Sequence, residues 1–235
     1  MNTSKTQILR YVDGLTVFLD DTVLHESNFS LLINGSLIHK FLCTSNALEY
    51  LAIGYLFSEG YINTIEQIQK IQIDLEHSFI NVTTDVSRNS SNLDMFLEDS
   101  FLQVQCSQLL SIFNDFEKSS LLFKETGSVH SAGLIQNNKI ICLHDDIGRH
   151  NAVDKVIGEI VTNQIPTHDK VLAVSSRVPL EIIKKASKIH IPVMIAVSAP
   201  TLQSIEFAQQ NDITLIGMVR HSRMNIYSGF NRIQE

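Results

Sequence analysis

Between Asp145 and Lys155 the sequence DDIGRHNAVDK crowds two adjacent carboxylates, an arginine, a histidine, an asparagine and a further Asp-Lys pair around Gly148. The run before it, Lys139-Ile140-Ile141-Cys142-Leu143, is apolar and β-branched, while Ala152, Val153, Val156, Ile157 and Ile160 recur after it at helical spacing. The motif therefore falls where a strand passes into a helix, with Gly148 as the turn. The first backbone N–H groups of a helix have no partner within it, so together with Arg149 and His150 they can face an anion. Phosphate or pyrophosphate is the guest that this chemistry suits. On the alternative reading, Asp145, Asp146 and Asp154 only balance Arg149 and Lys155 in a solvated turn.

Three further polar clusters stand beside expected strands: Thr126-Gly127-Ser128-Val129-His130, Ser175-Ser176-Arg177 and Ser198-Ala199-Pro200-Thr201. Arg220, His221 and Arg223 follow a fourth strand. Ligands of open α/β sheets gather at the carboxyl ends of strands, so these segments converge on one crevice if their strands are neighbours. Arg149, Arg177, Arg220 and Arg223 with His150 would then make a local positive pocket, each charge-assisted phosphate contact contributing roughly 1.5–3 kcal/mol. Equally, Ser175, Ser176, Ser198 and Thr201 suit helix caps, with Pro179 and Pro200 at early helical positions. His130 is either a satisfied buried histidine or a base beside a glycine turn, whereas His25, His39, His77, His168 and His190 read as structural or exposed.

The elements that must position these groups divide into two halves. The first is β-rich: Leu15–Leu19 and Phe29–Ile33 read as strands, Asn34-Gly35 as a type I′ turn, and Leu37–Cys43 as the returning strand. Asn46 is an N-cap candidate for a helix through Ser58, with Leu48, Leu51, Ala52, Tyr55 and Leu56 on one face. Strands are expected near Ile68–Ile73 and Phe79–Val82, and the polar segment Thr83–Asn92 reads as a mobile loop. Leu102, Cys106, Leu109, Phe113 and Phe116 fall at three- and four-residue steps, which predicts a helix with Cys106 on its buried stripe. Beyond Ser128 a hairpin, Val129–Leu134 and Lys139–Leu143 around Asn137-Asn138, precedes helices alternating with Lys170–Val174, Pro192–Val197 and Ile213–Val219. That alternation is the signature of a layered α/β domain, with Met224–Tyr227 as an added edge strand. The expected organisation is residues 1–92 as a β-rich α+β domain, 93–124 as a connecting helix and 125–235 as the α/β domain.

A chain of 235 residues with a formal charge of −7 is long enough for a large core and is poorly suited to broad nucleic-acid binding. Cys43, Cys106 and Cys142 are scattered and odd in number, and no apolar leader opens the chain, which together point to a reducing cytoplasm. No run of 18 apolar residues is present, so no membrane span is expected. His130, His144, Asp145, Asp146 and His150 are metal-ligand types, but neither H-x-E nor C-x-x-C accompanies them, so no zinc or other metal is expected. The P-loop, G-x-G-x-x-G and G-x-S-x-G patterns are absent as well.

Taken in order, the motifs resemble those of the FdhD family of formate dehydrogenase accessory proteins, described as sulfurtransferases or sulfur carriers. ETGSVHSAG at Glu125–Gly133 is similar to the family's T-G-G-V-H-x-A, and DDIGRHNAVDKVIG at Asp145–Gly158 to its E-D-x-G-R-H-N-A-x-D-K. SSR at Ser175–Arg177, IPVMIAVSAPT at Ile191–Thr201, TLIGMVRHSRMNIYSGFNRI at Thr214–Ile233 and LAIGYLFSEGYI at Leu51–Ile62 extend the likeness over most of the chain. The resemblance implies a cytidine-deaminase-like three-layer α/β/α fold without zinc in the second half, beside the smaller β-rich domain. It also implies a homodimer that binds molybdenum bis(molybdopterin guanine dinucleotide). On this likeness sulfur arrives from a cysteine desulfurase as a persulfide and is passed to the cofactor before its insertion into the formate dehydrogenase catalytic subunit. Met218, Val219, Arg220, His221, Ser222 and Arg223 correspond to the segment assigned to the cofactor. His130, Asp146, Arg149, His150, Asn151, Asp154, Lys155, Ser176, Arg177, Ser198 and Thr201 are the further binding candidates within the matched motifs.

The chain departs from the family's pattern at its cysteines. The resemblance puts the persulfide cysteine in a C-x-x-C of a loop that corresponds to Thr83–Ser100, and no cysteine lies there. No catalytic residue is therefore assigned, Cys106 and Cys142 being the substitute candidates. Ser128 and Ser176 stand where the family has glycine. Three functions follow as expectations: a cofactor-binding accessory protein whose sulfur comes on a partner's thiol, an active sulfurtransferase using Cys106 or Cys142, or a nucleotide-binding scaffold or chaperone for a molybdenum enzyme.

Overall fold

The computed structural model describes residues 2–85, 100 and 102–235. Residues 86–99, which include most of the expected loop and most of the Thr83–Ser100 segment matched to the family's C-x-x-C, together with the expected boundary at residue 92, lie outside the described residues. No helix among those described is long and apolar enough to cross a membrane.

A hairpin of β1 (Thr3–Val12) and β2 (Leu15–Leu24) comes first and, among the described residues, pairs with no other strand. The strand expected at Leu15–Leu19 is the first half of β2, whereas β1 carries no strand signal, because Thr3–Val12 mixes polar and apolar residues without one buried face and most of its side chains are exposed. Next come β3 (Ser27–Ile33), β4 (Ser36–Cys43), α1 (Leu48–Ser58), β5 (Ile68–Asp74) and β6 (Phe79–Thr84). The four strands form a sheet in the order β4-β3-β6-β5. Asn34 and Gly35 both adopt positive φ, as the expected tight turn requires. Asn46 is not the cap of α1: that position is Ala47, without a side-chain cap bond, and the Asn46 amide oxygen instead accepts from Thr44 and Lys155.

Beyond the undescribed stretch lie β7 (Val104–Gln105), α2 (Cys106–Ser119), α3 (Leu121–Thr126), β8 (His130–Gln136), β9 (Lys139–Asp146) and α4 (Arg149–Thr162). They are followed by β10 (Val171–Val174), α5 (Leu180–Lys188), β11 (Val193–Ala196), α6 (Leu202–Gln210), β12 (Thr214–Arg220), β13 (Arg223–Ile226) and β14 (Ile233–Gln234). Six strands make one mixed sheet, β13-β12-β11-β10-β8-β9, in which β10, β11 and β12 are parallel while β8 and β13 join antiparallel. One core joins one face of this sheet to α4 and α5 and runs on into α1 and the N-terminal sheet; the other face packs on Leu109, Ile112, Phe113 and Phe116 of α2. Helices thus cover both faces, giving the expected three-layer α/β/α arrangement.

The two halves are joined by backbone contact. Gly54 of α1 and Gly158 of α4 stand at the crossing of the two helices, where a Cβ on Gly54 would come 1.8 Å from the carbonyl oxygen of Asp154 and one on Gly158 would come 1.9 Å from that of Tyr50. Only glycine at both positions lets the helices approach so closely.

Candidate functional site

Strand direction assembles the site. β10, β11 and β12 are parallel, β8 runs against β10, and β9 runs against β8. The start of β8 and the ends of β9, β10, β11 and β12 consequently share one edge of the sheet. That edge carries His130, the Asp145–His150 segment, Ser175–Arg177, Ser198–Thr201 and Arg220 in neighbouring positions. At about 4.8 Å per strand, the four steps from β9 to β12 span roughly 19 Å, an extent suited to an elongated ligand.

At the α2 and α3 side of this edge lies a pocket of about 370 Å3, lined by Phe116, Glu117, Phe123, Gly127, Ser128, Val129, His130, Ser131, Ser175 and Val197. His130 is half-buried there, and burial first, then the nearby charges of Arg149 and Arg177, hold its imidazole below the usual histidine range. Arg149, the first residue of α4, has its Nε enclosed with no hydrogen-bond partner among the described residues. Arg177 is exposed. Arg220 reaches to the end of β11, its Nη1 donating to the carbonyl of Val197 at 2.7 Å and to that of Val219 at 2.6 Å. The edge is thus cationic within an acidic chain.

Several candidate residues have structural partners instead. Alternation along β9 sends neighbouring carboxylates to opposite faces. Asp145 points to the α2 and α3 side, where it accepts from Ser120 Oγ at 2.7 Å and Ser131 Oγ at 2.6 Å. Asp146 points to α4: its Oδ2 meets Lys155 Nζ at 2.6 Å, both side chains being fully buried, and accepts from the backbone and hydroxyl of Thr44 at 3.1 Å each. Its Oδ1 accepts from the Gly148 N–H and from Asn151 Nδ2, each at 2.9 Å. Lys155 also donates to Thr44 Oγ1 at 2.7 Å. Asp154 accepts from Lys185 Nζ at 2.7 and 2.8 Å and from Ser58 Oγ at 3.0 Å, and burial raises its carboxyl to about 6 against the pull of Lys185. The solvated-turn alternative fails for these acids: they are buried, and through Thr44 and Ser58 they tie the C-terminal half to the N-terminal one. His144 has no part in the edge, since its Nε2 meets Glu159 Oε2 at 2.6 Å.

The serines and threonine divide. Thr201 caps α6 by accepting from the Ser204 N–H at 3.3 Å, as its cap alternative required. Ser175 Oγ accepts from the Ser131 N–H at 2.8 Å, pinning β10 to β8 rather than capping a helix. Ser176 and Ser128 turn their hydroxyls back onto the carbonyls of Arg177 and Thr126. The carbonyl of Ser198 receives the Met218 N–H at 3.3 Å, and Met218 has a φ of 55° inside a bulge between Gly217 and Arg220. Positive φ at a non-glycine residue within a strand is strained backbone, a condition that concentrates at functional sites. Val219 is fully buried, whereas Arg220, His221, Ser222 and Arg223 are exposed around the turn into β13.

The thiols lie elsewhere. Cys43 and Cys142 are buried, and burial pushes each up to about 12. Cys106 differs from its expected place: it is the first residue of α2, half-buried, and the buried stripe consists of Leu109, Ile112, Phe113 and Phe116. The three-and-four spacing extends through residues 102 and 106, but the helix begins only at Cys106. Cys106 is at the opposite end of α2 from Phe116, a lining residue of the sheet-edge pocket, about 15 Å from it along the helix axis. None of the three lines that pocket.

Sequence reasoning missed a second cavity. His150, Asn151 and Asp154 do not face His130; they line a cleft of about 510 Å3 with His39, Phe41, Tyr55, Ser58, Glu59, Glu181, Lys184, Lys185 and Lys188. The spacing Lys184-Lys185-x-x-Lys188 in the sequence is a signal that could have found it.

Comparison with known proteins places this geometry in context. A family model described as FdhD/NarQ family matches residues 24–101 and 93–234. Proteins called "Sulfur carrier protein FdhD" are similar over nearly the whole chain: that of Bacillus licheniformis is 32% identical, covering 99% of this chain and 97% of its own length. That of Bacillus subtilis is 30% identical, with 99% and 98% covered. Among solved structures, that of "a putative formate dehydrogenase accessory protein from Desulfotalea psychrophila" superposes with a TM-score of 0.86 at 24% identity over 100% of both chains, a likeness of fold.

Proposed function

Because the chain belongs to the FdhD/NarQ family, we propose that it is a formate dehydrogenase accessory protein of the sulfur-carrier type, which holds a guanine-dinucleotide form of the molybdenum cofactor along the sheet edge. One observation carries this reading: five strand termini share that edge, with Arg149 and Arg177 around His130 and the Arg149 Nε enclosed without a partner among the described residues. An enclosed guanidinium N–H left unpaired is costly, and a phosphate oxygen satisfies it. The residues present therefore fit the anionic part of such a ligand. Arg149, Arg177, Arg220 and Arg223 would hold its phosphates, with the strained backbone at Met218 beside them. When bound, the cofactor supplies the molybdenum and dithiolene chemistry; this chain supplies the cationic edge that orients it.

Sulfur handling is a separate matter. Cys43 and Cys142 are buried thiols, and Cys106 sits at the far end of α2, so the sulfur passes to the bound cofactor on a partner's thiol, that of a cysteine desulfurase. The half-buried position of Cys106 favours one second reading, in which Cys106 itself carries the persulfide. The function of a nucleotide-binding scaffold or chaperone for the dehydrogenase, needing neither cofactor chemistry nor sulfur, predicts partner binding that survives replacement of Arg220 and Arg223.

Calorimetric titration with guanosine diphosphate, then with the isolated cofactor, tests the binding. Affinity that falls about tenfold or more in Arg149→Ala or Arg177→Ala supports it, and no measurable affinity in the unaltered chain refutes it. Mass spectrometry after incubation with a desulfurase tests the sulfur route: a stoichiometric persulfide on Cys106 would favour the second reading.

A further inference from the structure

The cleft between β4, α1, α4 and α5 shares no lining residue with the sheet-edge pocket. Its volume of about 510 Å3 is in the range of roughly 300–1,000 Å3 found for small-molecule sites. On its aromatic wall His39 and Tyr55 stack with centroids 4.5 Å apart and planes at 21°, and Phe41 stands edge-on to both, at 4.9 Å and 5.2 Å. Lys185 Nζ lies over the Tyr55 ring at 5.5 Å. Tyr55 thus meets both His39 and Lys185, and the stack ends at His39, over which no further ring is stacked among the described residues.

The charges in the cleft separate into used and unused groups. Lys185 is held by Asp154 at 2.7 Å and by Glu59 at 3.5 Å. His150 faces Glu181 at 3.6 Å. Lys184 and Lys188, one helical turn apart on α5, are exposed and form no ion pair among the described residues. The rim thus carries two ammonium groups without an ion pair among the described residues, Lys184 and Lys188, beside two part-exposed carboxylates that already have partners, Glu59 with Lys185 and Glu181 with His150.

We propose that this cleft is a second ligand site, for a small flat heteroaromatic monoanion such as a ring carboxylate. The ring extends the His39–Tyr55 stack on the outer face of His39, and the acidic group sits between the ammonium groups of Lys184 and Lys188. Offset stacking and charge-assisted hydrogen bonding then act on opposite ends of one molecule. Because the site is formed by β4 and α1 on one side and by α4 and α5 on the other, its ligand bridges the two halves of the chain. The proposal does not rest on the sheet-edge reading.

Nuclear magnetic resonance titration of the full chain with three probes tests it, following the His39 imidazole and Tyr55 ring signals. Pyridine-3-carboxylate carries both ring and charge, pyridine-3-carboxamide the ring alone, and cyclohexanecarboxylate the charge alone. The expected result is saturable binding of the first, at least about tenfold tighter than either of the others. A Lys184→Ala, Lys188→Ala double variant should lose about tenfold in that affinity with its urea midpoint and its response to guanosine diphosphate unchanged. Equal binding of all three probes, no shift with any of them, or full affinity in the double variant would overturn the proposal.

Discussion

Lys155 and Asp146 form a completely buried ion pair, Nζ to Oδ2 at 2.6 Å, between the second turn of α4 and the last residue of β9. Thr44, just past β4, donates to the same carboxylate oxygen, so the pair locks the N-terminal sheet against the end of the strand that leads into the cationic edge. Replacing Lys155 with methionine leaves the charge on Asp146 enclosed without its counter-ion. The expected loss is about 3 to 5 kcal/mol in urea unfolding, the scale of a broken buried pair. A loss below about 1 kcal/mol, as for an exposed pair, would contradict that role.

The α1–α4 crossing predicts a steric effect at Gly54, which lines neither pocket itself. In Gly54→Ala the new methyl meets the backbone of Asp154 and Gly158, which cannot rotate away as a side chain could. Destabilisation of about 3 kcal/mol or more, the upper end for overpacking, is expected in urea or thermal unfolding. A neutral result would mean that the helices separate without cost.

His130 reports the field at the sheet edge. Arg149 and Arg177 disfavour its protonation, so removing Arg149 as alanine should raise the His130 pKa toward the ordinary histidine value. Binding of a phosphate-bearing ligand should raise it as well, because the anion offsets the same positive charges. By linkage, the ligand then binds more tightly as pH falls through the His130 range. Titration of the imidazole C–H resonance measures both shifts; a pKa unmoved in Arg149→Ala would separate the two residues electrostatically.

Thiol reactivity should follow burial. Alkylation of the native chain with iodoacetamide at neutral pH is expected to mark Cys106 alone, with Cys43 and Cys142 reacting only after denaturation. Peptide mass spectrometry identifies the sites. Labelling of Cys142 ahead of Cys106 would reverse the order argued from exposure.

Much of the sheet was legible because its strands are continuous apolar runs bounded by polar turns: Val171–Val174, Val193–Ala196 and the Asn137-Asn138 hairpin lie where composition put them. The hairpin strand Thr3–Val12 was illegible for the converse reason, having no buried face to impose a period. At the candidate site, sequence located the polar clusters but not the partners of their side chains. DDIGRHNAVDK reads as one anion-binding unit, yet the folded chain splits it three ways: Arg149 toward His130, His150 and Asn151 toward the cleft, and Asp145, Asp146, Asp154 and Lys155 into internal clamps.

Local chemistry alone determined where strands yield to helices, which segments carry charge and which family's motifs run through the chain, since turn geometry, periodicity and residue type are properties of neighbours along the backbone. Tertiary structure decided which of those charges remain available. Thr44 and Ser58, more than ninety residues away, reach Asp146 and Asp154 only after the halves have packed. A carboxylate thus becomes a clamp or a binding group according to contacts that no local window of sequence contains.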